Sequence, residues 1–240
     1  MDNDGGRKRF LLKLSGEALM GDREFGIDPH FVERVAAEIA EVVRLGHQMA
    51  IVVGGGNLFR GVKLAAGGMD RVSADHMGML ATVMNGVALN AALKENDTTS
   101  QVFSGLDIPK VCESFTQRSA LAALERGEVA IFVAGTGSPY FTTDTGAVLR
   151  AAEMKCDVLL KGTQVDGIYT VDPKMHADAE YLAELTYDEA LARGIAVMDT
   201  AAMALARDAS IEIVVFSLHQ TGAISDVVAG RGRYSVVRAN

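Results

Sequence analysis

Four short segments hold most of the residues that could do chemistry, and each joins glycine or a hydroxyl to a charge. Lys13-Leu14-Ser15-Gly16 follows an apolar run, and Gly54-Gly55-Gly56 ends the run Ile51-Val52-Val53 with Arg60 close behind. Residues 135–144, GTGSPYFTTD, crowd glycines, hydroxyls and one carboxylate together. Lys161-Gly162-Thr163 is followed by Asp166-Gly167-Ile168-Tyr169 and Asp172-Pro173. Glycines remove the Cβ where a strand exits, so an anionic group can come against bare backbone N–H groups. Lysine and arginine supply charge. Such residues suit a phosphate-bearing ligand. Each segment alone has a plain alternative: a lysine at a strand end can snorkel to water, and a glycine run can be only a tight turn. Four together, all at strand exits, favour a site.

Two familiar nucleotide motifs are missing. The chain contains no GxxxxGK[ST], which excludes a P-loop kinase. Gly54-Gly55-Gly56-Asn57-Leu58-Phe59 puts Phe59 where the dinucleotide fingerprint needs a third glycine or alanine. Asp75 lies at the distance where that fingerprint wants a carboxylate, but it opens a helix and does not end a second strand, so a dehydrogenase is poorly supported.

The elements that must hold these loops alternate along the chain. Apolar strand patterns cover 10–14, 50–53, 101–103, an edge-like 110–113, 129–134, 158–160, 211–216 and 235–237. Between them, Asp28-Pro29 caps a helix that Gly46 ends, with Phe31, Val35, Ile39, Val42 and Val43 as its apolar stripe. Further helices are predicted over 74–94, 117–126, 145–154, 187–193, 200–209 and 223–228. Strands separated by helices imply a mostly parallel sheet of about eight strands covered on both faces, an α/β three-layer αβα sandwich. No Pro/Gly/Ser linker divides 1–240, so one domain is expected, with lobes 8–126 and 127–240 sharing a sheet and a seam near 126–128. Ligands of such sheets bind beyond the carboxyl ends of the strands, where the four segments fall.

The whole chain sets bounds. Its 240 residues, 49% apolar, allow a substantial core, and mean hydropathy is +0.17. The longest apolar runs are strand-sized, so no membrane partner is expected. The start MDNDGGRKRF has no apolar signal core. Cys112 and Cys156 stand alone, which suits a reduced, cytoplasmic setting. A net charge of −8 argues against nucleic acid, but a few local cations and backbone amides can hold a mononucleotide. The basic cluster Arg7-Lys8-Arg9 reads as a solvated strand entrance.

LLKLSGEAL, VVGGGNLFRG, DHMGMLATVMNG, AGTGSPYFTTD, LKGTQVDGIYTVDP and VMDTAAMALARD closely resemble the bacterial UMP kinases of the amino-acid kinase family, over residues 8–237. DHMGMLATVMNG is the most specific piece, because it separates these kinases from those acting on carbamate, glutamate, aspartate and acetylglutamate. The resemblance implies the amino-acid kinase fold and the reaction ATP + UMP → ADP + UDP in pyrimidine nucleotide biosynthesis. It also implies nucleotide-bound Mg²⁺ and a homohexamer. By the same resemblance, Lys13 and Lys161 stabilise charge on the transferred phosphoryl group, and Asp144 orients the two ammonium groups without acting as a base. Lys13, Leu14, Ser15, Gly16, Gly56, Arg60, Thr163, Tyr169 and Asp172 would form the ATP side. Gly55, Asp75, Thr136, Gly137, Ser138, Pro139, Tyr140, Phe141, Thr142 and Thr143 would hold UMP, with Asp75 on the ribose hydroxyls. Gly21, Asp22, Arg23, Glu24, Phe25 and Gly26 match the place where relatives respond to GTP, which activates them as UTP inhibits them.

This chain departs from that pattern at Ser138, where the family's usual GTGNPFFTTD has Asn, at Tyr140, where it has Phe, and at Gln164, where many members have Lys. The plainer readings are that Asp75 and Asp144 cap their helices, Tyr169 belongs to the core, and 21–26 is an ordinary flexible loop. Met77, Met79 and Met84 suit adaptable packing at a subunit contact. The five histidines are scattered, and His76 is read as structural; no protein-held metal is expected. Two other functions fit the same chemistry less well: another kinase of this family, and a non-catalytic nucleotide sensor.

Overall fold

A computed structural model describes residues 6–59 and 68–239. The run RFLLKL forms β1 (Arg9–Leu14) at the centre of a nine-stranded sheet. Its side chains alternate between two cores, as a strand of period 2 requires. Phe10, Leu12 and Leu14 enter one core and Leu11 the other. Lys13 therefore shares the face of Leu11.

Around β1 the sheet contains β2 (Gln48–Val53), β3 (Ser100–Ser104), β4 (Glu113–Ser114), β5 (Val129–Val133), β6 (Val158–Thr163), β9 (Glu184–Thr186), β10 (Glu212–Ser217) and β11 (Tyr234–Arg238). The spatial order is β4-β3-β5-β2-β1-β6-β10-β11-β9. Only β10–β11 is antiparallel among these pairings. A separate antiparallel hairpin joins β7 (Ile168–Tyr169) to β8 (Tyr181–Leu182).

Helices cover both faces. On the Leu12 face lie α1 (Pro29–Arg44), α2 (Arg71–Glu95) and α7 (Ala223–Val228); on the Leu11 face lie α3 (Gln117–Glu125), α4 (Thr143–Glu153), α5 (Tyr187–Ala192) and α6 (Thr200–Asp208). The expected αβα sandwich is therefore present. Asp28 caps α1 by accepting from His30 N at 3.1 Å, with Pro29 opening the helix. Among the described residues, no helix is long and apolar enough to cross a membrane.

Several boundaries differ from the sequence reading, for identifiable reasons. β6 runs on through Lys161, Gly162 and Thr163, because Gly162 pairs with both Leu14 and Phe216. The glycine expected beyond the strand's end is bare because Leu218 lies over it: a Cβ there would sit 2.4 Å from Leu218 Cδ1. β9 and the β7–β8 hairpin, two or three residues each, are too short to show periodicity. The edge segment expected over 110–113 pairs only at Glu113–Ser114. On α2, Met79 turns into the core, while Met77, Leu80, Met84 and Val87 form an exposed stripe at helical spacing.

Candidate active site

The parallel register places Lys13 of β1 directly beside Lys161 of β6. Adjacent strands lie about 4.8 Å apart, so two like charges on one face would repel strongly. Asp144 resolves that conflict. Lys161 Nζ donates to its Oδ2 at 3.0 Å, and Lys13 Nζ lies 2.9 Å from Oδ1. The Lys13 contact is an ion pair without hydrogen-bond geometry. Lys161 also donates to the Val197 carbonyl. Burial raises the Asp144 carboxyl's pKa and is the largest single influence, but the two ammonium groups together outweigh it and hold it below the ordinary aspartate range. Burial likewise lowers Lys161, and Asp144 opposes that loss of charge.

Asp144 reaches this position from the first turn of α4, where a carboxylate favours the positive end of the helix dipole. It does not cap the helix. That role belongs to Thr142, whose Oγ1 accepts from Asp144 N at 3.1 Å and Thr145 N at 3.3 Å. Thr142 and Thr145 in turn donate to Asp199, the N-cap of α6. Asp199 thus joins two helix starts beside Lys161. Its segment, VMDTAAMALARD, stood out in the sequence, but nothing there gave Asp199 itself a role.

The two glycine loops meet in contact. Gly54 N donates to Leu14 O at 2.8 Å. A Cβ on Gly16 would come within 2.3 Å of Gly56 N, and one on Gly55 within 2.7 Å of Gly78 O on α2. Neither position can take a side chain without moving a loop or the helix. Ser15 Oγ accepts from Ala18 N at 3.2 Å, which closes the turn after β1. Arg60 lies outside the described residues.

Beside these loops is an open cleft of about 230 Å³. Gly55, Gly56, Asp75, Thr136, Ser138, Phe141, Thr142 and Thr143 line it, all from the sequence-predicted set. Arg71 and Thr82 line it too, and the sequence reading assigned neither. Asp75 does not cap α2; Asp70 does, accepting from Ser73 N at 2.9 Å. Asp75 instead accepts from Arg71 Nε at 2.9 Å and from the backbone N of Tyr140 at 2.8 Å. Arg71 also lies over the Tyr140 ring, 5.3 Å from its centroid. Gly137 backs onto Gly105, and Gly137, Pro139 and Tyr140 do not line the cleft.

Three predicted residues beyond Lys161 are held locally. Thr163 Oγ1 closes a turn with Val165 and borders a second cavity of about 310 Å³ together with Gln164, Gly21 and Asp22. Tyr169 donates to Asp166 Oδ1 at 2.7 Å, and Arg233 pairs with the same carboxylate at 3.1 Å. That hydrogen bond is the main cause of a raised Tyr169 pKa. Asp172 accepts from Lys174 N at 2.9 Å within its own turn. In the loop of residues 21–26, Gly21 to Phe25 are exposed, and Gly26 N donates to Asn57 O at 3.1 Å.

Two ammonium groups on a shared carboxylate, a helix N-terminus and bare glycine backbone form a centre for holding and neutralising several negative charges. Asp144 is engaged by both lysines, so the donor set suits a cation carried on phosphate oxygens better than one held by side chains.

The chain is similar to the uridylate kinase of Brucella melitensis, 53% identical over 97% of each chain. It is 52% identical to that of Paramagnetospirillum magneticum over 99% of each. Among solved structures, the UMP kinase of Ureaplasma parvum superposes with a TM-score of 0.93 at 36% identity, covering 97% of this chain and 99% of that one. The UMP kinase of Bacillus anthracis gives 0.92 at 35%, covering 97% and 96%. The model of the amino acid kinase family matches residues 8–217, which span the paired lysines, their aspartate and both glycine loops, and on that match the chain belongs to this family.

Proposed function

We propose that this protein is a UMP kinase, transferring the γ-phosphoryl group of ATP to UMP. The observation that carries the reading is the Lys13–Asp144–Lys161 triad beside a cleft lined by Gly55, Asp75, Thr136, Ser138, Phe141, Thr142 and Thr143. Full-length likeness to uridylate kinases supports the choice of acceptor.

The chemistry needs little covalent help. A phosphomonoester has its second pKa near ~6, so the UMP phosphate is already an anionic nucleophile at neutral pH. One of its oxygens bonds to the γ-phosphorus as the bond to the β,γ-bridging oxygen breaks, and ADP leaves. The obstacle is repulsion between two polyanions, which fixed cations and N–H groups remove. Lys13 and Lys161 provide that charge, and Asp144 sets their positions and takes no proton. Gly55 and Gly56 offer N–H groups, and Arg60 supplies a forked cation. Leu14, Ser15 and Gly16 continue the ATP side toward Thr163, Tyr169 and Asp172. Asp75 accepts from the ribose, exchanging contacts it now makes with Arg71 and Tyr140 N. A divalent cation such as Mg²⁺ would be held by the nucleotide's own phosphate oxygens, since both lysines already engage Asp144, and would supply further charge neutralisation there.

The wider reading is a cytoplasmic enzyme of pyrimidine nucleotide biosynthesis, activated by GTP through residues 21–26 and inhibited by UTP. The exposed stripe of Met77, Leu80, Met84 and Val87 supports self-association into a homohexamer. The single continuous sheet supports one domain with lobes 8–126 and 127–240. The test is coupled ADP release with UMP, CMP and dUMP as acceptors, alongside carbamate and amino acids. UMP should be preferred; preference for carbamate or an amino acid would overturn the assignment.

A further inference from the structure

Behind the glycine loop, two asparagines are buried face to face: Asn57 is 2% exposed and Asn85, on α2, is 1% exposed. Each donates to the other's oxygen, at 2.7 Å from Asn85 and 3.0 Å from Asn57. The second hydrogen of each amide goes to a backbone carbonyl. Asn85 Nδ2 donates to Gly54 O at 2.7 Å, and Asn57 Nδ2 donates to Gly26 O at 2.9 Å. A carbonyl can only accept, so these two bonds fix which end of each amide is nitrogen.

The bond to Gly54 has a consequence on the opposite edge of its peptide. In a planar trans peptide the C=O of one residue and the N–H of the next point in opposite directions. With Gly54 O drawn to the Asn85 amide, the Gly55 N–H points away from that amide, and Gly55 itself lines the cleft. The following carbonyl, Gly55 O, is tied back by Leu58 N at 3.1 Å and Phe59 N at 2.9 Å. Glycine has no side chain to resist rotation of its peptides, so the Gly54–Gly55 peptide is held by Asn85. Among the described residues, no protein acceptor takes the Gly55 N–H.

We propose that Asn85 is a positioning residue that locks the Gly54–Gly55 peptide with its N–H aimed at the acceptor phosphate, and that Asn57 extends this clamp to the carbonyl of Gly26. The inference rests on the kinase reading above. Without the clamp the peptide can flip and present a carbonyl oxygen to an anion.

The test uses the full-length enzyme and two near-isosteric changes. Asn85→Leu removes the donor. Asn85→Asp replaces it with a group that can donate only when protonated. Both should lower kcat with UMP by roughly 10- to 100-fold at about pH 8, less than the roughly 100- to 1000-fold lost when an aligned oxyanion donor is removed outright, because the N–H is misdirected and not deleted, with the KM for ATP nearly unchanged. Relative to wild type, Asn85→Asp should regain activity as pH falls, and Asn85→Leu should not. Equal losses at every pH in both variants would overturn the proposal, as would an unchanged kcat. In the folded wild type, UMP should shift the Gly55 amide proton downfield, and an unmoved resonance would also overturn it. Wild type that does not phosphorylate UMP would instead refute the underlying kinase reading.

Discussion

Replacing Asp144 with asparagine probes the centre of the site with almost no change of shape. The carboxylate faces Lys13 at 2.9 Å and Lys161 at 3.0 Å, with the three side chains only 10%, 14% and 17% exposed for Lys13, Lys161 and Asp144. At that separation and an effective dielectric of about 20, each pair is attracted by roughly 6 kcal/mol before the cost of removing the charges from water. Breaking a buried pair by removing one partner costs about 3–5 kcal/mol net. Asparagine keeps one acceptor but turns an NH₂ donor onto the other ammonium. It also leaves two register-paired lysines unscreened, so one of them retracts or loses its proton. If about 3 kcal/mol of that disruption falls on the transition state, kcat drops by about 100-fold. In the proposed mechanism the ground-state nucleotide contacts lie mainly on glycine backbone and the cleft, so dissociation constants should change by less than about threefold. Steady-state kinetics give kcat, and calorimetric titration with each nucleotide gives affinity. Equal losses in both, or a kcat within about threefold of wild type, would refute the orienting role.

Asp144 also predicts a pH effect. Its folded pKa lies below the unfolded value of 3.8, so its contribution to stability is complete above that value and is lost as pH falls through the lowered one. The difference in unfolding free energy between wild type and Asp144→Asn should therefore shrink below about pH 3.8 in urea titrations; a difference that stays constant would count against the ion pairs. Asp75→Asn should chiefly raise the KM for UMP, and an unchanged value would remove Asp75 from the ribose site. Leu80→Glu, in the exposed stripe of α2, should lower the mass measured by equilibrium sedimentation without unfolding the chain. An unaltered assembly would place the subunit contact elsewhere.

Much of this fold was legible because its strands are buried on both faces and its helices carry caps. Asp28-Pro29 opened α1 as the sequence implied, and the uninterrupted apolar runs became the central strands. Local chemistry misled where tertiary contact decides. Gly162 was expected in a loop beyond its strand but is strand, emptied for Leu218. The caps of α2 and α4 are Asp70 and Thr142, which frees Asp75 and Asp144 for the cleft and the lysines. Asn57, Asn85 and Asp199 lay inside or near the recognised motifs, yet their roles come from partners 28 to 57 residues away, which spacing alone does not encode. The Lys13–Lys161 pairing needs the β1–β6 register, a non-local fact that periodicity cannot supply.

The most direct test of the central claim is ADP release with ATP and UMP by the wild type, Lys13→Ala and Lys161→Ala under identical conditions. The paired lysines should be indispensable: wild type turns over, and each variant, folded and still binding nucleotide, loses at least about 100-fold in kcat. Either variant turning over UMP near the wild-type rate would contradict the account.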